Sequence, residues 1–155
     1  MKTISVGEVY RIHGTATDTV REETPLEKVI ERFAKEPGLR GVFVVNTRRQ
    51  FSGVVTRSDL IRWTHYSLFG GKGRQDVSIS EFYRVVDAVR VKDLMNPGMQ
   101  ALAVKETDSL QTALDKMLDY EEDLLPVVDN DYRILGDLRI SEVLFHSIEA
   151  GKRLK

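Results

Sequence analysis

Residues 20–34, VREETPLEKVIERFA, and residues 104–118, VKETDSLQTALDKML, run in step. Each passes from a strand end through a polar cap into an apolar stripe. The stripe is Leu26, Val29, Ile30 and Phe33 in the first copy and Leu110, Ala113, Leu114 and Met117 in the second. Both have the i, i+3, i+4, i+7 spacing that puts side chains on one face of a helix. The starts correspond as well: Thr24 with Glu27, and Asp108 with Gln111, have capping-box spacing, and Pro25 suits a first helical position. Further on, GVFVVNTRRQFSGVVTRSDLI (41–61) lies over LLPVVDNDYRILGDLRISEVL (124–144) at a constant offset of 83. Each of these stretches has a short apolar run, a polar turn, a second run through Gly53 or Gly136, and a new helix. The runs Val42–Val45 and Leu125–Val128 are continuously apolar, as strands buried on both faces are. A chain built this way folds as two strand–helix–strand–strand–helix units. At about 50 residues each they are small for independent domains, so a shared interface is expected.

Composition fits two such units and removes several function classes. Of 155 residues, 41% are hydrophobic and 30% charged, the balance of a globular protein rather than a disordered one. Without cysteine, the chain has no disulfide, thiolate nucleophile or cysteine-ligated metal. Twenty-three basic against 24 acidic residues give no global attraction to nucleic acid or anionic lipid. The basic tail Lys152-Arg153-Leu154-Lys155 reads as solvated helix-end charge. No run approaches the ~20 apolar residues that span a bilayer, and the start, MKTISVGEVYRIHG, has no secretory apolar stretch. A cytoplasmic location, no membrane partner and no nucleic-acid partner are the expectations.

Between the halves, Gly70, Gly71 and Gly73 mark a mobile connector. Ser78 with Glu81 then has capping-box spacing, and Ile79, Phe82, Val86 and Val89 are expected along one face of a helix reaching Val89. VKDLM (91–95) opens the second half, and Val6-Gly7-Glu8-Val9 is its looser counterpart in the first.

The ordered set of VKDLM (91–95), LPVVDND (125–131) and GVVTRSDL (53–60), within a repeat from about Val6 to Ile148, resembles a tandem pair of cystathionine-β-synthase (CBS) domains, a Bateman module. The resemblance implies an α/β (α+β) fold of two pseudo-symmetric β-α-β-β-α units packed sheet to sheet as one disc, with two clefts. It divides the chain into a first CBS domain (1–68), a glycine-rich linker and connecting helix (69–90), and a second CBS domain with the basic tail (91–155). Such modules commonly bind AMP, ADP, ATP or S-adenosylmethionine-type compounds, regulate another protein, and pair as homodimers.

Gly53-Val54-Val55-Thr56-Arg57-Ser58-Asp59 fits the family's nucleotide pattern. Its spacing also has a physical reading of its own. Thr56 ends a strand and Asp59 opens a helix, where outward N–H groups and the helix dipole favour an anion. The Thr56 hydroxyl and Ser58 add donors for phosphate, Arg57 adds charge, and Asp59 can accept from vicinal ribose hydroxyls. Gly53 either allows close backbone approach or relieves crowding in a strand. The same Thr-x-x-Asp spacing is also what a helix N-cap requires. In the family, the other unit's first strand and central strand wall in the base. Here that brings in Met99, Gln100 and Ala101 with Leu124 and Leu125, while Val55 belongs to the motif strand.

The second copy departs from the pattern, with Arg139 in place of the hydroxyl residue and Glu142 in place of the aspartate. Arg139 could pair with phosphate and Glu142 with ribose, or the two could form a salt bridge at a helix start. Thr15, Ala16, Arg40 and Gly41 would line this second cleft. The first cleft is expected to function, and the second to be degenerate, altered in ligand, or empty. His13, His65 and His146 have no metal-ligand spacing. Asp129-Asn130-Asp131 lacks the rest of a calcium loop and reads as a hairpin turn whose Asn and Asp tolerate left-handed backbone. Trp63 and Tyr66 suit a dimer face and a core equally.

The expected function is regulatory and not enzymatic. The chain binds an adenine nucleotide as a regulatory ligand, needs no cofactor or metal, and passes occupancy to a protein partner, with Gly70–Gly73 and the following helix as moving parts. The alternatives are a structural or dimerisation protein with vestigial clefts, and a module for S-adenosylmethionine-type ligands.

Overall fold

The computed structural model describes residues 3–13, 18–73, 78–95 and 98–153. In chain order the elements are α1 (Val6–His13), β1 (Thr19–Arg21), α2 (Leu26–Lys35), β2 (Gly41–Val45), β3 (Phe51–Thr56), α3 (Arg57–Phe69), α4 (Ile79–Val86) and α5 (Val91–Leu94). A 3₁₀ turn at Met99–Leu102 leads to β4 (Val104–Lys105), α6 (Leu110–Tyr120), β5 (Leu124–Val128), β6 (Ile134–Arg139) and α7 (Ile140–Arg153). The fold is mixed α/β, and the β-α-β-β-α order occurs twice, as the repeat requires. Thr15 and Ala16, assigned to the second cleft, lie outside the described residues.

One compact unit comprises Asp18–Arg48 and Ser52–Met99. Its sheet has the order β1-β2-β3, with β1 and β2 parallel (Val20 opposite Val44). Central β2 is buried along Gly41–Val44, which is why its sequence is continuously apolar. Leu26 and Val29 of α2 are buried, and Ile30 and Phe33 pack on the same cluster of Val42, Val44, Val55, Val91 and Leu94. Tyr66 is part of this core and Trp63 packs against it.

The other unit comprises Met1–Thr17, Arg49–Phe51 and Gln100–Lys155. Here β4 and β5 are parallel and β5 and β6 antiparallel, with Leu125 opposite Leu138. Leu110, Ala113 and Met117 of α6 are buried, and Leu114 is half-buried.

Each unit contains the leading segment of the other repeat. In the first, the Leu26 N–H donates to Val89 O, the Val91 N–H to Thr24 O and the Lys92 N–H to Glu22 O. The second repeats the pattern: Leu110 N–H to Ile4 O, Val6 N–H to Asp108 O, Gly7 N–H to Glu106 O. The helix starts are capped alike, since the Arg90 N–H donates to Asp93 Oδ2 (2.8 Å) and the Ser5 N–H to Glu8 Oε2 (2.9 Å). Val6–Val9 is therefore the counterpart of Val91–Leu94 in backbone as well as in sequence.

This exchange shifts the helix starts from their expected positions. Helix α2 begins at Leu26 with Pro25 as its N-cap, and Thr24 and Glu27 form no capping box. Around Thr24 and Leu26 the backbone groups are taken by the 89–91 segment. Ser109 caps α6, its hydroxyl accepting from the Thr112 N–H (3.1 Å), while Asp108 takes the Lys105 N–H instead of pairing with Gln111. The Ser78–Glu81 cap is formed, with the Glu81 N–H donating to Ser78 Oγ at 3.1 Å. However, α4 stops at Val86 because Val89 must leave the helix to meet Leu26. Its inward residues are Val85 and Phe82, and Ile79, Val86 and Val89 are exposed. In the β5–β6 turn, Asp129 Oδ1 accepts from the N–H groups of Asp131 and Arg133, and the left-handed residue is Tyr132 (φ 66°) rather than Asn130 or Asp131. Arg49 (φ 63°) is its equivalent in the first copy.

The α5 cap supports a pH prediction. Asp93 accepts from the N–H groups of Arg90 and Val89, which lower its pKa below the usual carboxylate value. Its contribution is present above the unfolded carboxylate pKa and is lost as pH falls through the depressed folded value. Asp93→Ala should cost about 1 kcal/mol near neutral pH, a difference from wild type that vanishes in acid. Urea unfolding at two pH values checks this.

Candidate functional site

Both repeats end their last strand in a turn that opens a helix, β3–α3 in one unit and β6–α7 in the other. At β3–α3 the chain leaves extended backbone at Thr56 (φ −108°, ψ 172°) and enters α3 at Arg57. The Thr56 N–H donates to Asp59 Oδ2 at 2.9 Å, and the Thr56 hydroxyl reaches the same oxygen at 3.2 Å. The cap reading of Thr-x-x-Asp is thus realised.

A cap alone does not call for what else Asp59 does. Its residue is only 6% exposed, and burial raises its carboxyl above the usual value against the Thr56 donors and the charges of Arg62 and Arg84. The capping carboxylates at the other turns differ: Asp93 and Asp108 are half-buried and Glu8 is exposed. Among the described residues, the capping acid is buried only at the two strand-to-helix turns, Asp59 in one and Glu142, 5% exposed, in the other. Burying a carboxylate is costly, and a bare cap gains nothing from it.

The flanking candidates divide. Ser58 is exposed at the start of α3. Arg57 turns to the α2–β2 loop, its Nε donating to Leu39 O at 2.7 Å and its Nη2 to Pro37 O. Val55 is fully buried in the core. At Gly53, a Cβ would come within 2.7 Å of Met95 Sδ, so glycine here relieves crowding by the Met95 side chain. In the other unit, Gln100 and Ala101 are exposed on the 3₁₀ turn that stands where a strand was expected, and Tyr132 Oη donates to Gln100 O. Met99 on that turn is half-buried. Leu124 is half-buried at the start of β5, and Leu125 is wholly buried core. Arg40 is exposed just before β2. Gly41 is buried at its start, where a Cβ would press on Val55 O at 3.2 Å.

At β6–α7 the cap is formed by Arg139 and Glu142, the Arg139 N–H donating to Glu142 Oε1 at 2.9 Å. Their side chains form no salt bridge. Arg139 Nη2 instead lies 3.4 Å from Oδ2 of Asp137, which is 2% exposed. Asp137 is a site-proximal residue that the motif comparison missed. Its signal was a charge inside an otherwise apolar strand, where the first copy has Val54. Among the described residues no group of three or more His, Asp or Glu could hold a metal ion, and no helix is long and apolar enough to cross a membrane.

The CBS-domain family model matches residues 9–66 and again residues 91–149. The chain belongs to the CBS-domain family. It is a tandem CBS pair, a Bateman module. It is 25% identical over 147 residues to the uncharacterized protein MK0525 of Methanopyrus kandleri, covering 93% of this chain but only 63% of that protein. The chain thus spans less than two thirds of the length of the curated relative that it matches. A CBS domain-containing protein of Thermotoga maritima has the same fold, with a TM-score of 0.72 at 23% identity over 94% of this chain and 95% of that one. So does CBSX2, solved in complex with AMP, with a TM-score of 0.68 at 21% identity over 96% and 98%.

Proposed function

We propose that this CBS pair is a regulatory module whose β3–α3 turn binds an adenine nucleotide and whose occupancy is read by a protein partner. The observation that carries this reading is the carboxylate of Asp59 at a helix start, 6% exposed and desolvated where the capping Asp93 and Asp108 are only half-buried. An N-terminal helix dipole with outward N–H groups suits phosphate, and a carboxylate suits the ribose hydroxyls. The AMP complex of a relative with this fold is consistent with it. Val55, Leu125 and Gly53 serve packing, and Arg57 would have to leave the Leu39 and Pro37 carbonyls to reach a phosphate.

AMP at a hundredfold excess over its Kd should stabilise the protein by about 2.7 kcal/mol, read as a thermal shift. No response to AMP, ADP or ATP sinks the proposal. Unchanged partner binding with and without nucleotide favours the structural alternative.

A homodimer is part of the proposal. Ile61, Leu68 and Phe69 of α3 are 70%, 69% and 61% exposed, and Leu144, Phe145 and Ile148 of α7 are likewise exposed. Such apolar helix faces are what an interface buries. Light scattering should give twice the chain mass for wild type, and a monomer for Ile61→Glu combined with Leu144→Glu.

A further inference from the structure

We infer that helix α4 is seated by charges that it shares with the β3–α3 turn, with Arg62 as the positioning residue that couples them, so that an anion at the turn loosens α4. The inference deepens the proposed function: it names the element that carries occupancy away from the turn, and it rests on that reading for its ligand.

Helix α4 is held in two ways. Its apolar anchors are Val85, 2% exposed, and Phe82, whose ring lies 5.7 Å from that of Tyr66 in α3. Its ionic anchors are Glu81 and Arg84. Glu81 Oε1 lies 3.3 Å from Nη1 of Arg62, which stands three residues beyond Asp59 on α3. Arg84 Nη1 lies 3.4, 3.3 and 3.4 Å from the carbonyl oxygens of Asp93, Leu94 and Met95 at the end of α5, where carbonyls lack helical partners. Met95 in turn fills the space over Gly53 of β3, three residues ahead of Thr56. Arg62 and Arg84 also place positive charge that acts on the Asp59 carboxylate. The same two guanidiniums therefore serve Asp59 and tie α4 to its neighbours α3 and α5.

Arg62 is shared between two carboxylates. Asp59 precedes it at a spacing that puts side chains on one face of a helix, and Glu81 meets it from α4. Asp59, Glu81, Arg62 and Arg84 carry two negative and two positive charges, so these four groups are balanced among themselves. A phosphate at the start of α3 adds an anion that the set cannot match. It draws Arg62 toward the turn and weakens its hold on Glu81, while Val85 and Phe82 keep α4 on the core. Coupling of this kind is reciprocal: whatever relieves Arg62 of Glu81 favours the anion at the turn by the same factor. A ligand without charge gains nothing from it. Arg62 and Glu81 keep 38% and 29% of their side chains accessible, so the effect is that of a partly exposed ion pair.

The test follows hydrogen exchange of residues 79–86 in the full chain by mass spectrometry. Residues 26–35 of α2 are the reference, because Leu26 and Val29 pack on the same core without these four charges. In wild type, AMP should raise exchange in α4 relative to α2, and adenosine should not. Glu81→Gln keeps the bond from its backbone N–H to Ser78, so the cap of α4 persists. It should tighten AMP about two- to fivefold by calorimetry, leave adenosine unchanged and remove the effect of AMP on α4 exchange. One arm needs no ligand. Asp59→Asn removes the carboxylate that competes for Arg62, so exchange in α4 should slow relative to α2, and the slowing should vanish when Glu81→Gln is added. Where AMP binds wild type, a Glu81→Gln protein that binds it no more tightly overturns the coupling. If no nucleotide binds while the Glu81-dependent slowing holds, the nucleotide reading falls and the coupling stands. If AMP binds but α4 follows α2 in every protein, the site stands and this inference falls. With neither nucleotide binding nor slowing, both fall.

Discussion

Asp59→Asn is expected to abolish the thermal shift with AMP while leaving the unliganded protein at least as stable as wild type at neutral pH. The two halves of this outcome have different causes. Asparagine keeps an oxygen that can accept the Thr56 N–H, so the cap of α3 survives. What it lacks is the charge. Burial raises the folded pKa of Asp59 above its unfolded value of 3.8. The folded state therefore holds this proton more tightly than the unfolded chain, and stability from the group is full below the unfolded pKa. It is lost as pH rises through the raised folded value. At neutral pH wild type carries that loss and the variant does not. Urea midpoints should coincide in acid and separate in favour of the variant as pH rises. The ligand half has the opposite sign, since ribose hydroxyls donate to a charged carboxylate about twice as strongly as to a neutral amide oxygen. A cap residue with no ligand role would leave AMP binding intact. An Asp59→Asn protein that binds AMP as wild type does would return the turn to the capping reading.

Much of this was legible because it is local. The stripe of Leu26, Val29, Ile30 and Phe33 packs as its spacing requires, and Val42–Val45 is the central strand that its apolar run suggests. What local pattern could not show is which partner segment claims a backbone. Thr24 and Glu27 have the letters of a capping box, but the exchanged segment around Val89–Val91 takes the neighbouring N–H and C=O groups, so the helix starts one residue later. The same pairing ends α4 early and turns Val85, rather than Val86, into the core. At the site, the repeat located both turns and their Asp59 and Glu142. It could not say that Arg57 would bond to loop carbonyls, that Met95 would fill the space at Gly53, or that Asp137 would hold Arg139. Those depend on side-chain directions set by packing between elements distant in sequence.

The exchanged segment also yields the largest stability effect expected. Leu94→Ala should destabilise the protein by about 2–5 kcal/mol, whereas Leu118→Ala should stay within about 0.5 kcal/mol. The two leucines are alike in chemistry and opposite in burial, 2% exposed against 76%. Leu94 reaches the cluster of Leu26, Val29, Val42, Val44 and Val55 from α5, a helix of four residues. A single turn has no stability of its own in water, because nucleation fixes several residues for one hydrogen bond. It is held by Val91 and Leu94 in the core and by the bonds of Val91 and Lys92 to Thr24 and Glu22. Truncating Leu94 therefore removes buried surface, leaves a cavity and loosens the pairing that sets the start of α2. Urea unfolding of the two variants beside wild type measures the contrast. A Leu94→Ala loss as small as that of Leu118→Ala would mean that α5 is an ornament on the unit, and that the repeat beginning at Thr19 closes its core without borrowing from the other.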